Sequence, residues 1–453
     1  MLCSHNGGSF LPAAGTNNWS IAATLLAGTN TFVVKAIDGA GLESIHITRL
    51  IFYSIPSLLT VNINGNGSIL NNSNGLYLEI NRNYRMTAKP ALNHFLTGWS
   101  GDIISTNKIL DFTMQSNLTL VANFIPNPFT PATGRYVGLF HEINNVTHES
   151  GGFFTTTLSS GGVLSGRILL DGDVLGFSGK CSLDGSFNKT ILRTGKSALN
   201  LALVLDSAGR KIIGTVSTTN WIAELRANHS ASGGSHVGKY TMLLPGADDL
   251  SQSPLGHGFA SITIGATGVI AANGTTADGA TIGSRVQISQ DGQWPFYVPM
   301  YAGKGVVLGR LNFTNDVPEG ILTWIKKTGA GGLYPNGFTN EMELLGSRYT
   351  VPTLGVRVLN MTNGSVRFAG GNLSPTITNF IVLTNNNTIR VVTTNNALSI
   401  KFTLTKGTFT GSFKHPSIVT NIPFSGALLQ KQNFGGGYFL GTNQGGSILL
   451  QGN

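Results

Sequence analysis

The chain has 453 residues, which is too long for one compact core, so we expect roughly three to five domains. Charged residues make up only 11% of the sequence, against roughly 25% in an ordinary soluble protein, while hydrophobic residues make up 41%. This apolar content and the small net charge of +9 exclude an intrinsically disordered chain. The basic residues are scattered, with Lys326-Lys327 as the densest group, so we expect no nucleic-acid partner.

The two cysteines, Cys3 and Cys181, lie far apart in the sequence, which excludes a disulfide framework and a multi-cysteine zinc site. No apolar run approaches the roughly 20 residues that span a bilayer, so we expect no membrane-spanning segment. The start of the chain, residues 1–5, lacks the basic and apolar stretches of a signal peptide. If the protein is exported, this predicts a fragment of a longer protein or a truncated reading frame.

Short alternating runs separated by glycine-rich turns predict an all-β fold. Residues 31–36 form one such run, which ends at Asp38-Gly39, and residues 59–63 form another, which ends in Gly-Asn-Gly at residues 65–67. Asp-Gly and Asn-Gly pairs supply the positive φ angles that tight hairpins require. Strands this short and frequent are typical of β-sandwiches and β-barrels.

The first segment, residues 1–56, carries a tryptophan at Trp19, a Leu-Ala-Gly-Thr-Asn turn at residues 26–30 and a strand that ends in Ala-Ile-Asp-Gly-Ala-Gly at residues 36–41. It resembles the last strands of a bacterial immunoglobulin-like domain. Such a sandwich needs about seven strands. We therefore expect an incomplete domain here, in which Trp19, Leu25 and Phe32 lack a facing sheet.

In the second segment, Phe95, Trp99 and Phe124 are expected to fill a small all-β core. Gly98 and Gly101 flank the tryptophan and permit close turns beside it.

This segment, residues 57–126, resembles the divergent internalin-B-type bacterial repeat found in surface proteins. The resemblance rests on Phe-Leu-Thr-Gly-Trp-Ser-Gly at residues 95–101 and on Ala-Asn-Phe at residues 122–124. It implies a spacer or stalk module on an exported protein, with no catalytic residues.

An internal repeat follows a proline-rich linker, whose three prolines within residues 126–131 cannot occupy a central strand. The repeat has a period of about 105 residues, which is too long for a solenoid and predicts a small β-barrel or half-barrel for each unit. The corresponding positions are Gly134 and Gly238, Gly152 and Gly258, Gly162 and Gly268, Asp184 and Asp291, and Trp221 and Trp324.

The last portion, residues 346–453, fits the repeat less well and is expected to be a closing sheet or half of a barrel. The region resembles uncharacterised β-repeats of exported verrucomicrobial-type proteins, a resemblance that implies no known activity. The predicted domains are 1–56, a partial immunoglobulin-like sandwich; 57–126, the internalin-B-type repeat; 127–133, the linker; 134–237 and 238–345, barrel units; and 346–453, the C-terminal sheet.

Two His-Glu pairs, His141-Glu142 and His148-Glu149, are the one cluster that could bind a metal, if they face each other across a hairpin. Their spacing is not His-Glu-x-x-His, so a polar loop is the preferred interpretation and no metal or other cofactor is predicted. Asp171-Gly172-Asp173 lacks the further oxygen ligands of a calcium loop and is interpreted as a hairpin turn.

Aromatic residues are dense at positions 294–301, where two prolines indicate an edge strand or rim loop. Trp294, Tyr297, Tyr301 and Tyr334 are candidates for stacking on sugar rings, although rings that close the end of a barrel would give the same pattern.

No catalytic motif is recognisable, since the sequence has neither a Gly-x-Ser-x-Gly elbow nor a phosphate-binding loop. The favoured hypothesis is a non-enzymatic, extracellular or cell-surface bacterial protein, with spacer modules and β-barrel units for adhesion, recognition or scaffolding. Its partners would be glycans or other surface proteins. One alternative is a glycan-binding module of a larger polysaccharide-processing protein. Another is a hydrolase whose acids come together only in the fold.

Overall fold

The computed structural model describes residues 1–247, 253–393 and 396–453. The chain forms two compact units, Met1–Asn127 and Pro128–Asn453. The all-β prediction is confirmed, because the helices of the described residues are short 3-10 turns at Thr130–Ala132, Gly234–His236 and Tyr301–Gly303. None of the described helices has the length and apolar character needed to cross a membrane.

The N-terminal sheet of the first unit has four strands in the order β2-β1-β3-β4. The strands are β1 (Leu2–His5), β2 (Leu11–Pro12), β3 (Gly28–Lys35) and β4 (Ile47–Tyr53). Its small buried cluster contains Cys3, Phe32 and Val34, whereas Trp19 is 40% exposed and every residue of β4 is exposed. The likeness to an immunoglobulin domain stays a prediction, since four strands are fewer than a sandwich requires.

The second part of this unit packs two three-stranded sheets, β10-β12-β6 and β11-β9-β7, beside the pair β5-β8. The strands are β5 (Pro56–Leu58), β6 (Thr60–Asn64), β7 (Gly67–Leu70), β8 (Tyr77–Glu79), β9 (Asn83–Pro90), β10 (His94–Gly101), β11 (Ile109–Thr113) and β12 (Thr119–Pro126). Trp99 and Phe124 are buried in the core, as expected, and the indole N–H of Trp99 donates a hydrogen bond to the carbonyl of Asn107.

Phe95, in contrast, is only half-buried, and Leu96 packs against this core instead. The cause is a β-bulge between Leu96 and Gly98. Strict alternation would place residues 95 and 99 on one face of the strand, but the extra residue moves Leu96 to the face of Trp99.

Gly98 occupies a left-handed conformation with φ of 144°, and a Cβ there would lie 2.6 Å from the carbonyl oxygen of Ser105. We predict that Gly98→Ala lowers the free energy of unfolding by about 1–3 kcal/mol, since backbone must shift to admit the methyl group. Gly39→Ala is the control, because its Cβ would meet nothing within 4 Å, and it should change stability by less than about 0.5 kcal/mol. Urea denaturation of both variants measures the difference, and equal stabilities would contradict the packing described around Gly98.

The second unit begins with an eight-stranded antiparallel sheet in the order β16-β15-β14-β13-β20-β19-β18-β17. The strands are β13 (Gly134–His141), β14 (Gly152–Leu158), β15 (Val163–Leu170), β16 (Asp173–Lys180), β17 (Ser186–Arg193), β18 (Lys196–Asp206), β19 (Lys211–Ser217) and β20 (Ile222–His229). Because its first and last strands pair, the sheet is a nearly closed barrel whose gap lies between β16 and β17.

Two five-stranded sheets follow, β24-β23-β22-β21-β30 and β25-β26-β28-β29, with β27 paired to β26. The strands are β21 (Gly238–Leu244), β22 (Gly258–Ile264), β23 (Val269–Thr275), β24 (Thr281–Gln287), β25 (Gln293–Met300), β26 (Gly305–Thr314), β27 (Val317–Glu319), β28 (Ile321–Lys326), β29 (Phe338–Glu343) and β30 (Leu345–Tyr349).

The C-terminal sheet is again eight-stranded and nearly closed, in the order β33-β32-β31-β38-β37-β36-β35-β34. The strands are β31 (Asn363–Gly370), β32 (Ile377–Leu383), β33 (Ile389–Val391), β34 (Ser399–Thr403), β35 (Thr408–Lys414), β36 (Asn421–Leu429), β37 (Phe434–Leu440) and β38 (Gly445–Gly452). Its first and last strands pair, as in the first barrel.

The internal sequence repeat corresponds to a repeated local structure. In each copy a 3-10 turn precedes the first strand, and a fully buried tyrosine on that strand closes the turn. The Tyr136 hydroxyl donates a hydrogen bond of 2.6 Å to the Ala132 carbonyl, and the Tyr240 hydroxyl donates one of 2.8 Å to the His236 carbonyl. The domain boundaries predicted within this unit stay predictions. The sheet that begins at β21 includes β30 and so ends at Tyr349.

Candidate functional site

The four aromatic residues predicted to contact a ligand are mostly buried. Trp294 and Tyr297 lie on β25 and are 0% and 8% exposed, Tyr334 is 7% exposed, and Tyr301 packs half-buried against the core. A buried ring offers no free face to a sugar. Glycan contact at these positions stays a prediction, and it would require a rearrangement that exposes the rings.

Tyr301 belongs to a buried polar network. Its hydroxyl donates a hydrogen bond of 2.7 Å to Oδ2 of Asp278 and accepts one of 3.0 Å from the indole of Trp324. The ammonium of Lys326 lies 3.0 Å from the same carboxylate oxygen, and both charged side chains are nearly inaccessible, at 1% and 2% exposure. Burial and the Asp278 carboxylate both raise the pKa of Tyr301. The network satisfies its own charges, so its role is structural.

The two His-Glu pairs do not form one site. His141, at the end of β13, has Nε2 at 2.9 Å from a guanidinium nitrogen of Arg310 and Nδ1 at 2.8 Å from the carbonyl oxygen of Glu142. A neutral ring that donates from Nδ1 and accepts at Nε2 satisfies both contacts. Burial is the main cause of the lowered pKa of His141, which favours that neutral form.

His148 lies instead beside an acidic residue that the sequence pattern did not connect to it. Donor atoms of His148, Glu149 and Asp171 all lie within 4.8 Å of one another. Nδ1 of His148 is 3.0 Å from Oδ1 of Asp171. The distance is that of an ion pair, but Nδ1 makes no hydrogen bond, although the side chain is only 3% exposed.

Hairpin register explains this neighbourhood. Asp171 and Gly172, with φ of 52° and 79°, form the turn between β15 and β16, as the Asp-Gly-Asp sequence predicts. Gly152, at the start of β14, pairs with Leu170, at the end of β15. The segment that precedes β14 therefore lies next to this turn. If the pairing register of β14 and β15 had been assigned from the sequence, it would have placed His148 near Asp171.

Two lysines neutralise the carboxylates of this cluster. Lys196 Nζ lies 2.7 Å from Oδ2 of Asp171 and 2.8 Å from Oδ2 of Asp173, and Lys327 Nζ lies 2.5 Å from Oε1 of Glu149. Burial raises the pKa of Glu149, but its contacts with Lys327 outweigh that effect and hold the pKa below its usual value. Burial, the largest influence on His148, lowers its pKa, which the Asp171 and Glu149 carboxylates only partly offset. The cluster therefore places one imidazole beside two carboxylates, each of which contacts a lysine.

A groove of about 580 Å³ opens beside the cluster. Residues 145–149 line one side, and residues 325–328 and 336–339 line the other. The Lys327–Glu149 ion pair joins the two sides, so the groove lies between the first barrel and the β28–β29 hairpin. His148 and Glu149 both line this groove, although the His148 side chain is only 3% exposed.

Comparison with known proteins places one family within the chain. Residues 57–128 match the divergent InlB B-repeat domain, which confirms the resemblance of the second segment. No curated protein matches this chain in sequence. Among solved structures, a tryptophan-to-alanine mutant of the vaccine antigen transferrin-binding protein B from Haemophilus parasuis aligns over 97% of this chain and 98% of its own, with 10% identity and a TM-score of 0.19. A TM-score this low supports no inference about function.

Proposed function

We propose that this chain is a non-enzymatic, exported surface protein in which the first unit acts as a spacer and the second unit serves adhesion, recognition or scaffolding. The observation that carries the proposal is the match of residues 57–128 to the divergent InlB B-repeat, a module that the family resemblance associates with bacterial surface proteins. Its aromatic core around Trp99 is built from packed side chains of the repeat itself.

The architecture of the second unit supports a scaffolding or recognition role. One apolar cluster of this unit includes Val137 of the first barrel, Trp294 of the middle sheets and Leu429 of the C-terminal barrel. A continuous apolar core of this kind stabilises all three parts together. Such an array presents fixed outer faces on which a partner can dock without a large ordering cost.

Composition supports a location outside the cell. Only 11% of residues are charged, and the two cysteines are free and buried. The surface therefore draws its polarity from uncharged side chains, and the domains are stabilised by packing.

A panel of polysaccharides separates this proposal from its two alternatives. The full chain is incubated with each polysaccharide, and both retention on the polymer and release of new reducing ends are measured. We expect no retention, because Trp294, Tyr297 and Tyr334 are buried, and no release of reducing ends, because the sequence carries no recognisable catalytic motif. Saturable retention would overturn the proposal in favour of a glycan-binding module, and release of reducing ends would overturn it in favour of a hydrolase.

A further inference from the structure

We infer that His148, Glu149 and Asp171 form a binding site for a divalent cation of the Zn²⁺ type, reached through the groove beside residues 145–149. The donor atoms, one imidazole nitrogen and two carboxylate oxygens, lie within 4.8 Å of one another. Zn²⁺ accepts such mixed nitrogen and oxygen ligands, and three protein ligands leave a position for water. The site goes beyond the proposed surface role and does not depend on it.

The strongest indication is the state of the His148 ring. The side chain is 3% exposed, and its Nδ1 has no hydrogen-bond partner although it faces Oδ1 of Asp171 at 3.0 Å. A buried polar atom without a partner destabilises a fold by roughly 1–3 kcal/mol. A cation that contacts both Nδ1 of His148 and Oδ1 of Asp171 would give each of these atoms a partner.

Charge balance is consistent with this assignment. The Asp171 carboxylate contacts Lys196 and the Glu149 carboxylate contacts Lys327, so two positive charges lie against the two acidic side chains. A divalent cation supplies the same charge from one point. Both lysine side chains are partly exposed, at 35% and 42%, so they can turn into solvent when the cation binds.

The donor set also selects among cations. Imidazole nitrogen favours Zn²⁺ and neighbouring transition metals, whereas Ca²⁺ requires six to eight oxygen ligands. We therefore expect binding of Zn²⁺ but not of Ca²⁺.

The test is calorimetric titration of the full chain with ZnCl₂. Wild-type protein should show a site that Asp171→Asn weakens at least about tenfold, since even the loss of an outer-shell partner weakens metal binding 10- to 100-fold. Asp173→Asn is the matched control, because Asp173 shares Lys196 but lies outside the set of donor atoms. Its affinity should fall much less than that of Asp171→Asn. Far-UV circular dichroism checks that each variant is folded. We prefer to substitute Asp171 because it lies in a surface turn, whereas His148 is buried.

Removing the lysine that competes for Asp171 gives a second measurement, in which the Zn²⁺ affinity should rise instead of fall. Lys196→Met should bind Zn²⁺ more tightly than the wild type, because no lysine then competes for Asp171. Lys211→Met is the control, since Lys211 forms an exposed ion pair of 3.2 Å with Asp291 instead. The inference is overturned if wild-type protein binds no Zn²⁺, if Asp171→Asn and Asp173→Asn bind equally, or if Lys196→Met binds more weakly.

Discussion

Replacing Lys326 with methionine is expected to lower the free energy of unfolding of the second unit by about 3–5 kcal/mol, because it leaves the Asp278 carboxylate buried without its counter-charge. The two side chains are 1% and 2% exposed, and the ammonium also donates a hydrogen bond of 2.6 Å to the Leu333 carbonyl. Methionine keeps the unbranched apolar stem of lysine and lacks the terminal ammonium. The loss of stability therefore reflects the missing charge and hydrogen bonds. Guanidinium denaturation measures this loss.

The neighbouring residue provides the control for this substitution. Lys327 pairs with Glu149 at the surface, where the side chains are 42% and 49% exposed, so Lys327→Met should cost less than about 1 kcal/mol. Adding Asp278→Asn to Lys326→Met should recover part of the loss, because it removes the uncompensated charge. Equal stabilities of the two single variants would show that the Lys326–Asp278 pair is not buried as described.

Trp99→Ala is expected to lower the stability of the InlB-type repeat by about 3–5 kcal/mol. The indole is 2% exposed, and its N–H donates a hydrogen bond of 3.1 Å to the Asn107 carbonyl. A domain of this size has a total stability of only about 4–10 kcal/mol, so most of that stability is lost. Hydrogen exchange should then show lost protection over residues 57–126, while residues 134–229 keep theirs.

Trp19→Ala controls for the loss of a tryptophan in the same unit. Trp19 is 40% exposed, so its replacement should lower stability by clearly less than that of the buried Trp99. The account of the repeat core fails if Trp99→Ala leaves exchange over residues 57–126 unchanged, or if Trp19→Ala is the more damaging of the two.

The strand-and-turn pattern could be predicted from the sequence because it depends on local signals. Alternation and Asp-Gly turns predicted the all-β fold, and the motif around Trp99 predicted the repeat. The face of a strand that a side chain occupies is less predictable. Because of the bulge between Leu96 and Gly98, Leu96 packs against the core in the place expected for Phe95.

The candidate site could be predicted only in part, because its residues meet through register. His148 and Glu149 were recognised together, but their neighbour Asp171 is brought close by the pairing of β14 with β15. The burial of a charged side chain is equally hard to predict from the sequence. Lys326 and Lys327 form the densest basic group in the sequence, yet one is buried against Asp278 and the other lies at the surface. Sequence alone does not show which of two adjacent lysines faces the core.

The proposal of an exported surface protein is tested most directly by measuring where the protein is in its source organism. An antibody raised against residues 134–453 is applied to intact cells, to permeabilised cells and to the culture medium. Our account predicts that nearly all of the protein is detected on intact cells or in the medium, and that permeabilisation adds little signal. A signal that appears only after permeabilisation would contradict it.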